Sequence, residues 1–171
     1  VFDSRGNPTV EAEIFLDDGS SASAISPSGA STGAFEAHEL RDKDQNKFFG
    51  RSVNNAVQNI NSKISNKLKN LDFNQQENID KILLELDGSE NKTNLGANAT
   101  LAVSLAYAKC TAIANKQSLY KNLGKSYSLP IPLMNIINGG AHADNDLNIQ
   151  EFMIRPDSAK NFTDAIEKCF L

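Results

Sequence analysis

Three short stretches hold the residue types that do chemistry. Asn138-Gly139-Gly140-Ala141-His142-Ala143-Asp144-Asn145 places an imidazole in a glycine-bearing loop directly after an apolar run. Loops at strand ends are common places for catalytic groups; a histidine there also serves as a plain structural hydrogen-bonder. Gln150-Glu151-Phe152-Met153-Ile154 follows, with Gln150, Phe152 and Ile154 on one side and Glu151 and Met153 on the other. A carboxylate within an apolar strand is expensive unless it is paired or solvated. In a closed barrel one face of a strand points to the lumen and its C-terminal end to a site; on an edge strand Glu151 would face the surface. The third stretch, Ser26-Pro27-Ser28-Gly29-Ala30-Ser31-Thr32-Gly33, combines glycines that admit a ligand with hydroxyl oxygens that suit hard cations such as Mg²⁺. No lysine follows its second glycine, so it is not a phosphate loop. An ordinary flexible connection has the same composition. The turn formers of Asp3–Glu11 suit a subunit interface or an exposed N-terminal turn alike.

The elements that must position these groups are read from periodicity. Thr9 to Leu16 alternates, with Val10, Ala12, Ile14 and Leu16 on one side and Glu11 and Glu13 on the other. That is a half-buried strand, and Asp17-Asp18-Gly19 turns it into a return strand over Ser20 to Ile25. A short helix is expected over Glu36 to Asp42. Val53, Val57, Ile60, Ile64, Leu68 and Leu71 form a single apolar stripe along about five helical turns. Asn74, with Glu77 behind it, reads as the N-cap of a second helix whose buried face is Ile79, Ile82, Leu83 and Leu86 and which Asp87-Gly88 ends. A third helix, Asn98 to Asn115, is alanine-rich and apolar nearly all round, so it is expected to be the most enclosed. Pro130 and Pro132 mark a linker. Beyond it, Leu133 to Ile137 and Ile149 to Ile154 read as buried strands. Phe162, Ile166 and Cys169/Phe170 open a helix whose stripe stops at the last residue, so the chain is expected to continue.

Composition bounds the function classes. With 40% hydrophobic and 22% charged residues the chain is globular and not globally disordered. No apolar run approaches the ~18 residues of a membrane span. The balance of 17 basic against 21 acidic residues argues against bulk attraction to nucleic acid or anionic lipid and leaves room for a local basic patch. Cys110 and Cys169 lie in helical apolar patterns and read as buried free thiols, neither a disulfide framework nor a zinc site. The chain begins at Val1, so a targeting segment ahead of it is not visible; a reducing, cytoplasmic setting is the default.

Six segments occur together and in order: Asp3-Ser-Arg-Gly-Asn-Pro-Thr-Val-Glu11, Ser28-Gly-Ala-Ser-Thr-Gly33, Leu86-Asp-Gly-Ser-Glu-Asn-Lys92, Leu95-Gly-Ala-Asn98, Asn138-Gly-Gly-Ala-His-Ala-Asp-Asn145 and Gln150-Glu-Phe-Met-Ile154. They resemble enolase, the phosphopyruvate hydratase of glycolysis, and the His142-Ala-Asp-Asn145 form is most similar to bacterial members. The resemblance covers the whole chain and well under half of a complete enolase. It implies an α+β organisation. Residues 1–127 are similar to the enolase N-terminal capping domain, a small antiparallel meander packed on a helical bundle. Residues 128–171 are similar to the ββα opening of the C-terminal α/β barrel, whose first two strands are antiparallel.

The resemblance also implies chemistry: a Mg²⁺-dependent lyase that takes a proton from carbon 2 of 2-phosphoglycerate and expels the 3-hydroxyl, giving phosphoenolpyruvate and water. Matched by motif, Ser31 is similar to the loop serine that ligates a second Mg²⁺. His142 is similar to the histidine that closes over the substrate near its phosphate. Gln150 and Glu151 are similar to the substrate-contacting pair, Glu151 polarising the departing hydroxyl. The family's lysine base, principal acid glutamate, main metal carboxylates and phosphate-binding arginine match nothing here, so this length alone is expected to be inactive. Ser89, where threonine is usual, and Arg155-Pro-Asp-Ser158, where an apolar-Pro-Val-Gly stretch is usual, depart from the pattern. A homodimer or higher homo-oligomer is implied for the complete protein, with no direct nucleic-acid partner, a cytoplasmic location and a possible cell-surface or secreted secondary one. The rival readings are a non-catalytic interaction fragment, docking to an RNA-processing assembly or a cell surface, and an incomplete reading frame.

Overall fold

The alternation of Thr9 to Leu16 becomes strand β1 (Val10–Phe15), which pairs antiparallel with β2 (Ser21–Ser26) from Val10↔Ser26 to Phe15↔Ser21. The computed structural model describes residues 1–29, 33–69, 71, 75–124 and 126–170. The chain forms two compact units, Val1–Lys125 and Ser126–Leu171. In the first, Val10, Ala12 and Ala24 turn into the core while Glu11 and Glu13 face water. Among the described residues the meander is this hairpin plus one antiparallel bridge, Phe2↔Pro8.

Helix α4 (Ala97–Ala114) packs against both strands. Its small side chains make that approach possible: Ala99, Ala102 and Ala106 are completely enclosed. It is the most enclosed helix, as expected, but not all round, because Leu101, Leu105 and Ile113 open to solvent. Helix α3 (Gln76–Asp87) packs beside it through Ile79 and Leu83, and Asp80 accepts a 2.6 Å hydrogen bond from Ser104 Oγ. Gly88 ends α3 at φ +67, a left-handed conformation that costs glycine no Cβ clash, and its N–H donates to the Leu84 carbonyl at 2.9 Å. Asn74, the expected N-cap, lies outside the described residues; Gln75 immediately precedes the helix.

Two expectations change in this unit. The stripe from Val53 to Leu71 is not one uniform α-helix: α1 (Asn54–Asn59) passes through a π turn, Ile60–Ile64, into α2 (Ser65–Leu68). Ile64, at the end of the π turn, is buried, while Val57 in α1 and Leu71 beyond α2 are exposed. Glu36 to Asp42 has no regular secondary structure and is not helical. Its backbone bonds go to distant partners. The His38 N–H donates to the Asn91 carbonyl at 2.7 Å, and the His38 carbonyl accepts from Ala97 N–H at 2.8 Å. The Asn98 amide takes both polar groups of Leu40, accepting at 3.2 Å and donating at 3.1 Å. Backbone groups satisfied this way have no need of an i→i−4 ladder. The unit also contains a short helix, α5 (Leu119–Leu123), that periodicity did not suggest.

The N-terminal turn is braced from inside. Asp3 accepts from the N–H groups of Arg5 at 2.9 Å and Asn7 at 2.8 Å. Arg41 donates to the Pro8 carbonyl at 2.6 Å, and Arg51 to Asn7 Oδ1 at 2.7 Å.

The second unit pairs β3 (Met134–Asn138) antiparallel with β4 (Glu151–Ile154), from Met134↔Ile154 to Asn138↔Glu151, with an irregularity at Ile136. Helix α6 (Phe162–Phe170) follows, with Lys168 Nζ 3.2 Å from Asp164. The two strands are present but are not buried as expected: Ile136, Ile137, Phe152 and Met153 are all exposed. A two-stranded sheet needs a third layer to cover its faces, and among the described residues of this unit no other strand joins it. Cys110 is buried as expected, and burial, with Asp18 nearby, raises its thiol pKa. Cys169 is half-buried instead, since α6 hides little beyond Ala165. The whole is α+β with small antiparallel sheets and no closed barrel among the described residues.

Candidate functional site

The pairing Asn138↔Glu151 brings the end of β3 beside the start of β4, and the loop between them carries His142. Two backbone bonds close that loop, from Gly139 N–H to the Gln150 carbonyl at 2.9 Å and from Gly140 N–H to the Leu147 carbonyl at 2.7 Å. The close return requires glycine at 139: a Cβ there would stand 2.4 Å from the Ile149 carbonyl oxygen and 2.6 Å from Leu147 Cβ. A single 3-10 turn, Gly140–His142, then directs the imidazole back toward β4.

His142 Nδ1 stands 3.2 Å from Glu151 Oε1, and the two side chains are 24% and 27% exposed. The contact is an ion pair when the imidazole is protonated and a hydrogen bond when a neutral ring carries its proton on Nδ1. It gives the carboxylate in the apolar strand the partner its position demands. Both groups keep enough exposure to meet a ligand. Gln150 enters the arrangement through its carbonyl, the acceptor that closes the loop, and its side chain is at an exposed position.

Ser31 lies outside the described residues. Of its loop, Ser28 Oγ donates to Glu39 at 2.8 Å, Arg5 donates to the Ser28 carbonyl, and Gly33 N–H donates to Glu36 at 2.8 Å. Among the described residues no three His, Cys, Asp or Glu side chains converge as a metal cage. A second polar cluster, where Arg5, Arg41 and Arg51 line one cavity, is weaker as a ligand site. Its guanidinium groups hold Ser28, Pro8, Arg51 and Asn7 oxygens and the Glu39 carboxylate, so they serve the fold.

Residue type singles out His142 and Glu151 but passes over Asn145. Its amide donates to the Asn138 carbonyl at 2.9 Å and accepts from Leu147 N–H at 3.0 Å. An asparagine in a glycine-bearing loop is the available signal, because its side chain readily bonds backbone two residues on.

Comparison with known proteins follows this geometry. Residues 1–123 match the family described as "Enolase, N-terminal domain", and residues 126–169 match "Enolase, C-terminal TIM barrel domain". A curated enolase from Pelagibacter ubique (strain HTCC1062) is 57% identical over 173 residues, an alignment that takes in 100% of this chain and 41% of that relative. The chain thus spans about two fifths of the length of the curated relative it matches. No helix among the described residues is long and apolar enough to cross a membrane. The hairpin-on-helix unit falls within the first family match and the His142–Glu151 hairpin within the second, in that order, and the chain belongs to the enolase family.

Proposed function

We propose that the complete protein interconverts 2-phosphoglycerate and phosphoenolpyruvate plus water, with His142, Gln150 and Glu151 as its substrate-facing groups. In that reaction the C2–H bond breaks, its electron pair becomes the C2–C3 π bond, and the C3–O bond breaks to release the hydroxyl, which leaves as water. The observation that carries the reading is the 3.2 Å pairing of His142 with Glu151 inside the segment that matches the enolase barrel domain.

Glu151 is proposed to accept a hydrogen bond from the departing hydroxyl and to steady the proton that accompanies it. His142 is proposed to stand toward the substrate phosphate, where a protonated imidazole attracts the dianion. Their mutual contact holds both side chains before substrate arrives, so less ordering is left to the bound state. Gln150 is proposed to add a neutral amide contact. Mg²⁺, when bound, supplies Lewis-acid stabilisation of the substrate carboxylate. Ser31 is proposed to offer it one hydroxyl oxygen, the remaining ligands, the lysine base and the acid glutamate lying in other parts of the complete protein. A cytoplasmic homodimer or larger homo-oligomer belongs to the same proposal.

Steady-state kinetics of the full-length protein across Mg²⁺ concentrations tests these roles. Glu151→Gln keeps the size of the side chain and removes its charge, so kcat and kcat/KM are expected to fall together by ~10²–10⁴, the range for a lost acid–base contact. Ser31→Ala is expected to weaken metal binding and to be partly rescued by higher Mg²⁺. A Glu151→Gln variant that raised only KM, or that metal rescued while Ser31→Ala was not rescued, would show the two roles to be wrongly assigned.

A further inference from the structure

We infer that Asn145 is a positioning residue, a side-chain clip that fixes the His142 loop and with it the distance from His142 to Glu151. Its kinetic consequence rests on the function proposed above; the clip itself does not. Three hydrogen bonds made by this one residue tie three parts of the loop. The Asn145 amide NH₂ donates to the carbonyl of Asn138, the last residue of β3, at 2.9 Å. Its Oδ1 accepts from Leu147 N–H at 3.0 Å, on the returning limb. Its backbone N–H donates to the Ala143 carbonyl at 3.1 Å, one residue beyond the imidazole. His142 therefore lies within the segment whose two ends the clip joins.

Apolar burial does not do this work. Leu147 and Ile149 on the returning limb are both exposed, so the loop has no hydrophobic anchor of its own there. A loop with few buried apolar contacts draws its definition from its hydrogen bonds. The clip needs a donor and an acceptor on one short side chain, which asparagine supplies. Aspartate accepts from Leu147 N–H but cannot donate to Asn138; alanine does neither. Misplacement of a reacting group by ~1 Å can cost on the order of 10² in rate. Partial loosening of the loop is accordingly expected to cost about tenfold.

Two readouts on the full-length protein test the inference. By hydrogen–deuterium exchange, Asn145→Ala is expected to speed exchange at the Leu147 and Gly140 amides by about tenfold or more, with Asn145→Asp intermediate at Leu147. Exchange unchanged at both amides would overturn the clip. By kinetics, Asn145→Ala is expected to lower kcat about tenfold with the melting temperature unmoved, because Asn145 is exposed. In a His142→Ala background the same change is expected to cost less than about twofold, since residues that act as one unit are not additive. An undiminished kcat in Asn145→Ala, or an equal loss in both backgrounds, would refute action through His142. Full turnover by His142→Ala alone would instead bring down the proposed function, and the exchange result would still decide the clip.

Discussion

In Val1–Lys125 the buried residues include Val10, Ile64, Ile79, Leu83, Ala99, Ala106 and Cys110, drawn from the hairpin and three helical segments. In Ser126–Leu171 most apolar residues of both strands stand in the open, Ile136 at 58% and Ile137 at 46% exposure, while Met134 and Ile154 are half-buried. The polar groups differ in the same way. The first unit buries Asn59, Asp87 and Asn98, and each bonds backbone: Asn59 donates to the Leu95 carbonyl at 3.0 Å, Asp87 accepts from Leu95 N–H at 2.7 Å, and Asn98 brackets Leu40. The second keeps His142, Gln150 and Glu151 accessible around a loop closed by hydrogen bonds. One unit spends its polar side chains on its own backbone. The other keeps His142, Gln150 and Glu151 accessible while Asn145 bonds the loop backbone, and its fold depends on polar closure more than on a core.

The widest test of that contrast is activity itself. The loop presents His142 and Glu151, and the chain spans 41% of the length of the curated relative it matches. The 171-residue chain assayed alone with 2-phosphoglycerate and Mg²⁺ is expected to form no phosphoenolpyruvate measurable by absorbance. Removing members of a catalytic unit commonly costs several orders of magnitude. Turnover that survives repurification away from host enzyme would show that this length holds everything the chemistry needs.

A smaller and sharper test compares truncations. Leu83→Ala in the first unit removes a buried side chain and is expected to cost about 2–5 kcal/mol. Ile137→Ala in the second changes an exposed position and is expected to stay within about 0.5 kcal/mol. Urea unfolding of both variants measures the difference. Hydrogen exchange on the parent chain adds the local view: strong protection is expected along α4 and weak protection over residues 133–154. Uniform strong protection of both units in a monomer, or equal costs for the two truncations, would erase the distinction.

How much of this was legible depends on where each group finds its partner. The β1–β2 hairpin follows from neighbours in sequence, an alternating run and an Asp-Gly turn, and the α3 stop follows from Gly88. The conformation of Glu36 to Asp42 is not legible locally, because Leu40 bonds Asn98, 58 residues away, and no local pattern reports that bond. The π turn in Ile60–Ile64 escaped because it adds a fraction of a turn without changing which residues are apolar. The β3 and β4 strands were legible as strands, but their burial was not: apolar character states that a side chain seeks cover, not that cover is present. At the site, residue chemistry marks His142 and Glu151, while their pairing depends on the bulged register of β3 on β4. Asn145 was passed over because its role lies in closing a loop, which its chemistry alone does not announce.

A single-residue, pH-dependent effect sharpens the account of the first unit's polar interior. Asp87 is buried at the end of α3, and burial alone would raise its pKa. The Ser89 hydroxyl and the N–H groups of Leu95 and Ser89 outweigh that penalty and hold the carboxyl below its ordinary value of 3.8. A group whose folded pKa is depressed stabilises the fold fully above its unfolded pKa, and that stabilisation is lost as pH falls through the folded value. Asp42, held below its ordinary value against its own burial by the N–H groups of Asn55 and Asn54, acts in the same direction. Asp87→Asn keeps the volume and one acceptor oxygen but presents an NH₂ to neighbours that are themselves donors. It is expected to cost about 2 kcal/mol at neutral pH, in the range of hydrogen bonds to a charged group. Below about pH 4 the parent loses the same advantage, so the gap between parent and variant is expected to narrow. Urea midpoints at about pH 7 and about pH 3 measure it. A gap that stayed constant would mean that Asp87 serves by shape and not by charge.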